Sequence, residues 1–311
     1  TYDRATQLGD TVYVVTEASH ADALKQQLPE LPDEAFLVEP GRRGTAHCII
    51  FALDYIARHH EHNEPIAFVH SDHNVRDIAG FARSFKAAGR MSIDSGHIAL
   101  IGIEPTYPAT GFEYIERGEA IDELSEVYDV NSFRERGDYE TMRKYVEAGN
   151  FLWNCGYFVG TIGTFLGEME QYAPELWNDY SRLALLPSNV DPMYTEVYLS
   201  FDTDAIDFAL IKKVEKLVVV QASFDWMDIG NFKDLHDVVP KDKAGNYISG
   251  ENVHMIDIEN SYIRNDELDK PIAVIGLDNV VVVNTHDGIL VARKDLVHKV
   301  GDIAKMIQAK D

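Results

Sequence analysis

Short, nearly continuous apolar runs alternate with segments of helical period through the first two thirds of this chain, and this alternation constrains the fold most. The run His97-Ile98-Ala99-Leu100-Ile101-Gly102-Ile103 has almost no polar position, so a strand there must be covered on both faces. Residues 11–16, 35–38, 66–70 and 217–220 have the same character. Between the second and third runs, Ala46, Ile49, Ile50, Leu53, Ile56 and Ala57 line one helical face. Further helices are expected over 19–27, 75–88, 161–180 and 204–213, with another carrying Tyr139, Met142 and Val146. A polar strand is expected at 124–133. Such repetition predicts an α/β chain with a mostly parallel sheet and helices on both faces.

The pattern changes after the turn-rich stretch Pro240-Lys241-Asp242-Lys243-Ala244-Gly245-Asn246. Short strands at 272–275 and 280–283 follow, then a closing helix with Leu296, Val300, Ile303, Ala304 and Ile307 on one face. The expected domains are therefore 1–240 and a small β-rich 241–311. At the other end, residues 1–8 read as the end of a helix. A doubly wound sheet opens with a strand and a glycine-rich turn, and no G-x-G-x-x-G or G-x-x-x-x-G-K-[ST] occurs here. The first strand and glycine-rich loop are expected to be absent, about 30 residues of a βαβ unit.

Fifty-two acidic against 28 basic residues give a net charge of −24. That field makes nucleic acid and anionic membrane surfaces poor partners. Anionic substrates would need a local cation or an arginine cluster. No apolar run reaches membrane-spanning length. Cys48 and Cys155 are the only cysteines, too few for a disulfide framework, so a reducing cytoplasm is expected and both read as small packed residues.

Ser71-Asp72-His73 closes the strand at 66–70, placing a carboxylate where α/β sheets present ligands. Phe224-Asp225-Trp226-Met227-Asp228-Ile229-Gly230 supplies a second one. Together Asp72 and Asp228 suit Mg²⁺ held with substrate phosphates. Each also has a bland explanation, the capping of the helix that follows it, and Asn74 could cap as well. The segment 39–46 joins a strand to a helix start and offers backbone N–H groups and two arginines to an anion. The loop 105–112 and Trp153-Asn154-Cys155-Gly156 suit close approach to a sugar, or equally a packed tryptophan beside a tight turn.

In this order the motifs resemble the bacterial-type mannose-1-phosphate guanylyltransferases, also called GDP-mannose pyrophosphorylases. The resemblance rests on E-P-G-R-R-G-T-A (39–46), S-D-H (71–73), P-T-Y-P-A-T-G-F (105–112) and F-R-E-R-G-D (133–138). It continues through W-N-C-G (153–156), I-D-F-A (206–209), W-M-D-I-G-N-F (226–232) and V-V-V-N-T-H-D-G-I-L-V (281–291). It implies a mostly parallel Rossmann-like nucleotidyltransferase sheet with a short β-helical tail. It also implies GMP transfer from GTP to mannose 1-phosphate with Mg²⁺ as cofactor. By likeness, Asp72 and Asp228 hold the metal. Glu39, Arg43, Thr45 and Ser71 line the nucleotide, and Gly111, Glu135, Arg136 and Asn154 contact the sugar phosphate. A homodimer is compatible with the resemblance, and with the end at Asp311 the isomerase domain of some relatives is not expected.

Several positions depart from that pattern. Gly44 and His47 replace an Asn and a Pro, Arg136-Gly137 replaces Lys-Pro, Glu113 replaces a glycine, and Ala205 and Lys212 replace Ser and Glu. These keep two alternatives open: a degenerate GDP-sugar-binding regulator, and a transferase for another hexose 1-phosphate.

Overall fold

The computed structural model describes every residue except Glu123, Ser125, Val190, Leu268 and 309–311. Ser125, inside the expected strand 124–133, is therefore outside the described residues. The chain divides into two compact units, one of Thr1–Ser71 with Val75–Asp225, the other of Asp72–Asn74 with Trp226–Asp311.

In chain order, the first unit begins with α1 (Tyr2–Ala5), β1 (Val14–Glu17), α2 (Ala18–Gln27), β2 (Phe36–Glu39), α3 (Gly44–His59) and β3 (Pro65–Phe68). The two-residue β4 (His73–Asn74) belongs to the second unit. There follow α4 (Ile78–Ser95), β5 (Ala99–Ile103), β6 (Tyr114–Asp122), β7 (Val127–Arg134), α5 (Tyr139–Ala148) and β8 (Phe151–Thr161). Helices α6 (Ile162–Tyr172), α7 (Pro174–Ala184), α8 (Pro192–Leu199) and α9 (Ile206–Ala209) lead to β9 (Val218–Gln221).

The α/β class is as expected, but strand pairing in the main sheet is mixed rather than mostly parallel. The order is β3-β8-β5-β9-β7-β6, and only β5 and β9 pair in parallel. Strand β8 inserts antiparallel between β3 and β5, and beyond β9 the strands β7 and β6 add antiparallel pairs. Trp153-Asn154-Cys155-Gly156 lies within β8 rather than in a turn. Gly156, at φ +70°, lets the backbone bend there, and a Cβ would stand 2.6 Å from His70 Nε2. The expected helix 161–180 is two helices, because Pro174 cannot continue α6 and instead starts α7. The expected helix 204–213 is α9 plus a 3₁₀ turn at Ile211–Lys213.

Helix α3 buries Ile49, Ile50, Leu53 and Ile56 in the core, which also takes Phe158, Phe165, Tyr194 and Tyr198. Strands β1 and β2 form a separate parallel pair. Each of β1 and β3 has a single hydrogen-bonded strand neighbour, β2 and β8 respectively. A cavity of about 1370 Å³ lies against Val15 of β1 and Ala67 of β3, with Ile49 and Ala52 of α3 and Phe85 and Gly89 of α4 in its walls.

The second unit continues with β10 (Met227–Asp228), α10 (Phe232–Val238), β11 (Tyr247–Gly250), β12 (Val253–Ile256), β13 (Tyr262–Asn265) and β14 (Ile272–Ile275). It ends with β15 (Val280–Thr285), β16 (Gly288–Arg293) and α11 (Val300–Gln308). Strands β11, β13 and β15 stack in parallel register, as do β12 and β14, giving the expected short β-helix. Successive coils place like on like. The Tyr247 and Tyr262 rings stack 5.0 Å apart, and buried Asn284 donates to Asn265 at 2.9 Å. Asn252, Asp257, Asn260 and Asn279 turn the corners at φ between 50° and 56°, a region that Asn and Asp tolerate. No helix among the described residues is long and apolar enough to cross a membrane.

Candidate functional site

In the second unit, the ladder between β4 and β10 pairs Asp228 with His73 and Met227 with Asn74. Directly opposed residues project to the same side of an antiparallel pair, so the register makes Asp228 and His73 neighbours. The Ile229 N–H extends the ladder to the Asp72 carbonyl at 3.2 Å. One ligand atom from each of Asp72, His73 and Asp228 then lies within 4.8 Å of the others. Asp72 is exposed and Asp228 partly so, while His73 is buried edge-on to Trp226 at 5.0 Å. Two carboxylates and an imidazole whose ligand atoms lie this close together fit a divalent cation.

Capping is not what occupies either carboxylate. Helix α4 is capped by Asp77, which accepts from the Gly80 N–H at 2.8 Å. Helix α10 is capped by Asn231, which accepts from Lys233 and Asp234 N–H groups. Asp225, the other acid of the second motif, accepts the Arg76 and Asp77 N–H groups at 3.0 and 2.8 Å and so has a structural task. His73 was not among the sequence candidates. Its signal was present in the S-D-H motif, but its partner across the ladder is 155 residues away in sequence.

In the first unit, β2 delivers Glu39 to a loop that enters α3. Burial raises the Glu39 pKa, the Tyr198 hydroxyl donates to it at 2.7 Å, and Glu17 adds to the rise. Arg43 is the residue before α3, and its guanidinium donates to the Leu199 and Arg42 carbonyls at 2.6 and 2.7 Å. Thr45 Oγ1 accepts the Ile206 N–H at 3.0 Å, and the Ala46 N–H reaches the Asp204 carbonyl. The loop is thus pinned onto residues 199–206. Gly44 has φ +78°, so the glycine that replaces the family's asparagine keeps a residue suited to the left-handed region. His47 bridges the Arg43 carbonyl at 3.0 Å and Asp179 at 3.1 Å. Ser71 is exposed, and its carbonyl accepts from the Thr1 hydroxyl at 2.8 Å.

A second polar cluster forms where β6, β7 and β8 approach the 3₁₀ turn after α9. The Lys212 ammonium donates to Glu113 at 2.8 Å and to Glu135 at 2.6 Å, and lies 4.0 Å from the Phe208 ring centroid. Glu113 and Lys212, both departures from the family pattern, therefore compensate each other. Burial raises the Glu113 pKa, whereas the Lys212 hydrogen bond lowers that of Glu135. Burial works against the Lys212 charge, but the two carboxylates together outweigh it and raise its pKa. The Glu113 carbonyl accepts the Asn154 N–H at 2.9 Å. The Asn154 side chain donates to Asp207 at 2.9 Å. The structure thus gathers Glu135 and Asn154 around Lys212 and Asp207, two residues not singled out as candidates from sequence. Arg136 is exposed, and a Cβ at Gly111 would meet nothing within 4 Å. Both cysteine thiols are pushed up to about 12, chiefly by burial, which keeps them protonated and unreactive.

Known proteins are similar to this chain over most of its length. The nucleotidyl transferase family matches residues 4–245, and a mannose-phosphate isomerase/GMP-like β-helix domain matches 250–307. Mannose-1-phosphate guanylyltransferase 2 of Escherichia coli O157:H7 is 30% identical over 307 residues, covering 95% of this chain and 63% of its own length. Mannose-1-phosphate guanylyltransferase of Klebsiella pneumoniae is 31% identical over 290 residues, with 91% and 60% covered. The chain thus spans less than two thirds of these relatives. A Thermus thermophilus crystal structure described as a mannose-1-phosphate geranyltransferase shares the fold at a TM-score of 0.82. It is 24% identical, with 98% of this chain and 87% of that one covered.

Proposed function

This chain belongs to the nucleotidyl transferase family, and we propose that its full-length protein transfers GMP from GTP to mannose 1-phosphate. The products are GDP-mannose and pyrophosphate. The observation that carries the reading is the run of relatives bearing that activity's name across nine tenths or more of this chain.

Asp72 and Asp228 would hold Mg²⁺, supported by the approach of one carboxylate oxygen from each to within 4.8 Å of the other. When bound, the cation supplies charge neutralisation at the phosphates. The chain's own residues bind and orient. Glu39, Arg43, Thr45 and Ser71 line the nucleotide, with Arg43 and Thr45 fixed by main-chain partners before any ligand arrives. Preset donors of this kind are worth more than mobile ones, because little reorganisation accompanies the reaction. Gly111, Glu135, Arg136 and Asn154 orient the sugar phosphate, so that its oxygen meets the α-phosphorus of GTP in line and displaces pyrophosphate. No covalent intermediate is needed. We place the reaction in the cytoplasm, in keeping with a chain that holds two distant cysteines and no disulfide framework.

Pyrophosphate release by the full-length protein tests the proposal across a panel of nucleoside triphosphates and hexose 1-phosphates. Release that requires both GTP and mannose 1-phosphate, and that Asp72→Ala abolishes without changing the circular dichroism, is expected. Release only with another pair would reassign the substrates. GDP-mannose binding without turnover would identify a regulator instead.

A further inference from the structure

We propose that His73 is a third ligand of the metal centre and turns its preference from Mg²⁺ toward a nitrogen-accepting transition ion such as Mn²⁺ or Co²⁺. The inference rests on the assignment of Asp72 and Asp228 as metal ligands in the proposed transfer.

Three observations carry it. First, the β4–β10 pairing sets His73 directly opposite Asp228, and the Ile229 N–H bond to the Asp72 carbonyl extends the same register. Because His73 opposes Asp228, its ring is delivered to the same side as that carboxylate whatever rotamer Asp72 adopts. Second, His73 Nε2 stands 4.0 Å from Asp72 Oδ1, too far for a hydrogen bond between them. Metal–ligand bonds of about 2.1 Å put donors on opposite sides of one ion roughly 4.2 Å apart. The separations within the cluster reach 4.8 Å at most. The small contraction required falls to Asp72, whose side chain is 60% exposed. Third, the ring is held before any ion arrives. It is 8% exposed and meets the Trp226 ring edge-on at 82°. A ligand locked by packing on a paired strand loses little freedom when it binds.

The chemistry of the donors then sets the choice of ion. Mg²⁺ takes oxygen ligands and keeps several waters, so a pair of carboxylates suits it and an imidazole adds little. For first-row transition ions a neutral imidazole is a good ligand, and affinity rises from Mn²⁺ through Co²⁺. Adding His73 to two carboxylates therefore strengthens Mn²⁺ and Co²⁺ more than Mg²⁺. The competing explanation makes His73 a packing ring for Trp226 alone.

Mn²⁺ binding to the full chain, followed by electron paramagnetic resonance, separates the two. The expected wild-type result is ¹⁴N modulation in the electron spin echo of bound Mn²⁺, with Mn²⁺ held at least tenfold more tightly than competing Mg²⁺. In His73→Phe and His73→Asn the modulation should vanish and the Mn²⁺ dissociation constant should rise at least tenfold, with Mg²⁺ affinity changing less than threefold. The Asn variant guards against loss of fold, checked by circular dichroism. Bound Mn²⁺ without nitrogen modulation, or histidine variants that bind as the wild type does, would overturn the proposal. If Asp72→Asn and Asp228→Asn lose the ion while the histidine variants keep it, the two-carboxylate centre stands and His73 is excluded. If none of the four affects binding, both assignments fall.

Discussion

Removing the Lys212 ammonium should cost stability mainly because it strands Glu113. Their side chains are 15% and 12% exposed, whereas Glu135 is 65% exposed and rehydrates freely. Breaking a fully buried pair costs about 3–5 kcal/mol. The Glu113 carboxyl escapes part of that penalty by taking up a proton, and burial already raises its pKa. A hydrogen bond to a charged group contributes about 1.5–3 kcal/mol, and an exposed pair such as that with Glu135 adds under about 1 kcal/mol. Methionine keeps the packing of the stem, so Lys212→Met should destabilise by about 2 kcal/mol. In a unit of this size that lowers the melting temperature by roughly 4–8 °C. Glu113→Gln, which leaves Lys212 with Glu135, should cost about 1 kcal/mol. The double variant should lose less than the sum, with a coupling of about 1–1.5 kcal/mol. Urea unfolding followed through Trp153 and Trp177, both in the first unit, provides the cycle. Strictly additive losses, or a Lys212→Met variant within about 0.5 kcal/mol of wild type, would refute the compensation argument.

Two further predictions concern single sites. Gly156→Ala should destabilise the first unit by roughly 2 kcal/mol, since it forces alanine into the left-handed region and a Cβ against His70; an unchanged urea midpoint would contradict the strain. His236 is 1% exposed, donates from Nε2 to the Gly245 carbonyl and accepts at Nδ1 from Lys294, so it folds as the neutral ring. Burial, then Lys294, lowers its pKa below 6.5. The unfolded chain therefore binds the extra proton first. Its stabilising contribution is complete above the unfolded value of 6.5 and is lost as pH falls through the lowered folded value. The wild-type unfolding midpoint should drop over that interval and that of His236→Gln should vary less; equal slopes would exclude the histidine.

What the sequence revealed, and what it hid, follows from the range of the interactions. Apolar runs and helical periodicity are local, so β2, β5, β9, α2 and α3 were legible to within a few residues. Strand β8 was not, because Asn154 and Gly156 interrupt its apolar pattern as a turn would. The mixed pairing was hidden with it, since β8 inserts antiparallel between β3 and β5, and β7 pairs antiparallel with β9. The break between α6 and α7 is local, carried by Pro174 at the first position of α7. At the site, Asp72 and Asp228 stood out because strand ends present ligands, and it took the caps of α4 and α10, Asp77 and Asn231, to set aside the bland explanation. His73 and Lys212 acquire meaning only through partners far along the chain, Asp228 for one and Glu113 for the other. The charge that Glu113 brings is met by Lys212, 99 residues further along the chain.

Anomalous diffraction from Mn²⁺-soaked crystals of the full chain tests the central claim most directly. One peak within about 2.5 Å of oxygens from both Asp72 and Asp228 is the predicted result. An ion held by either aspartate alone, or a strong peak elsewhere with this pair bare, would contradict it.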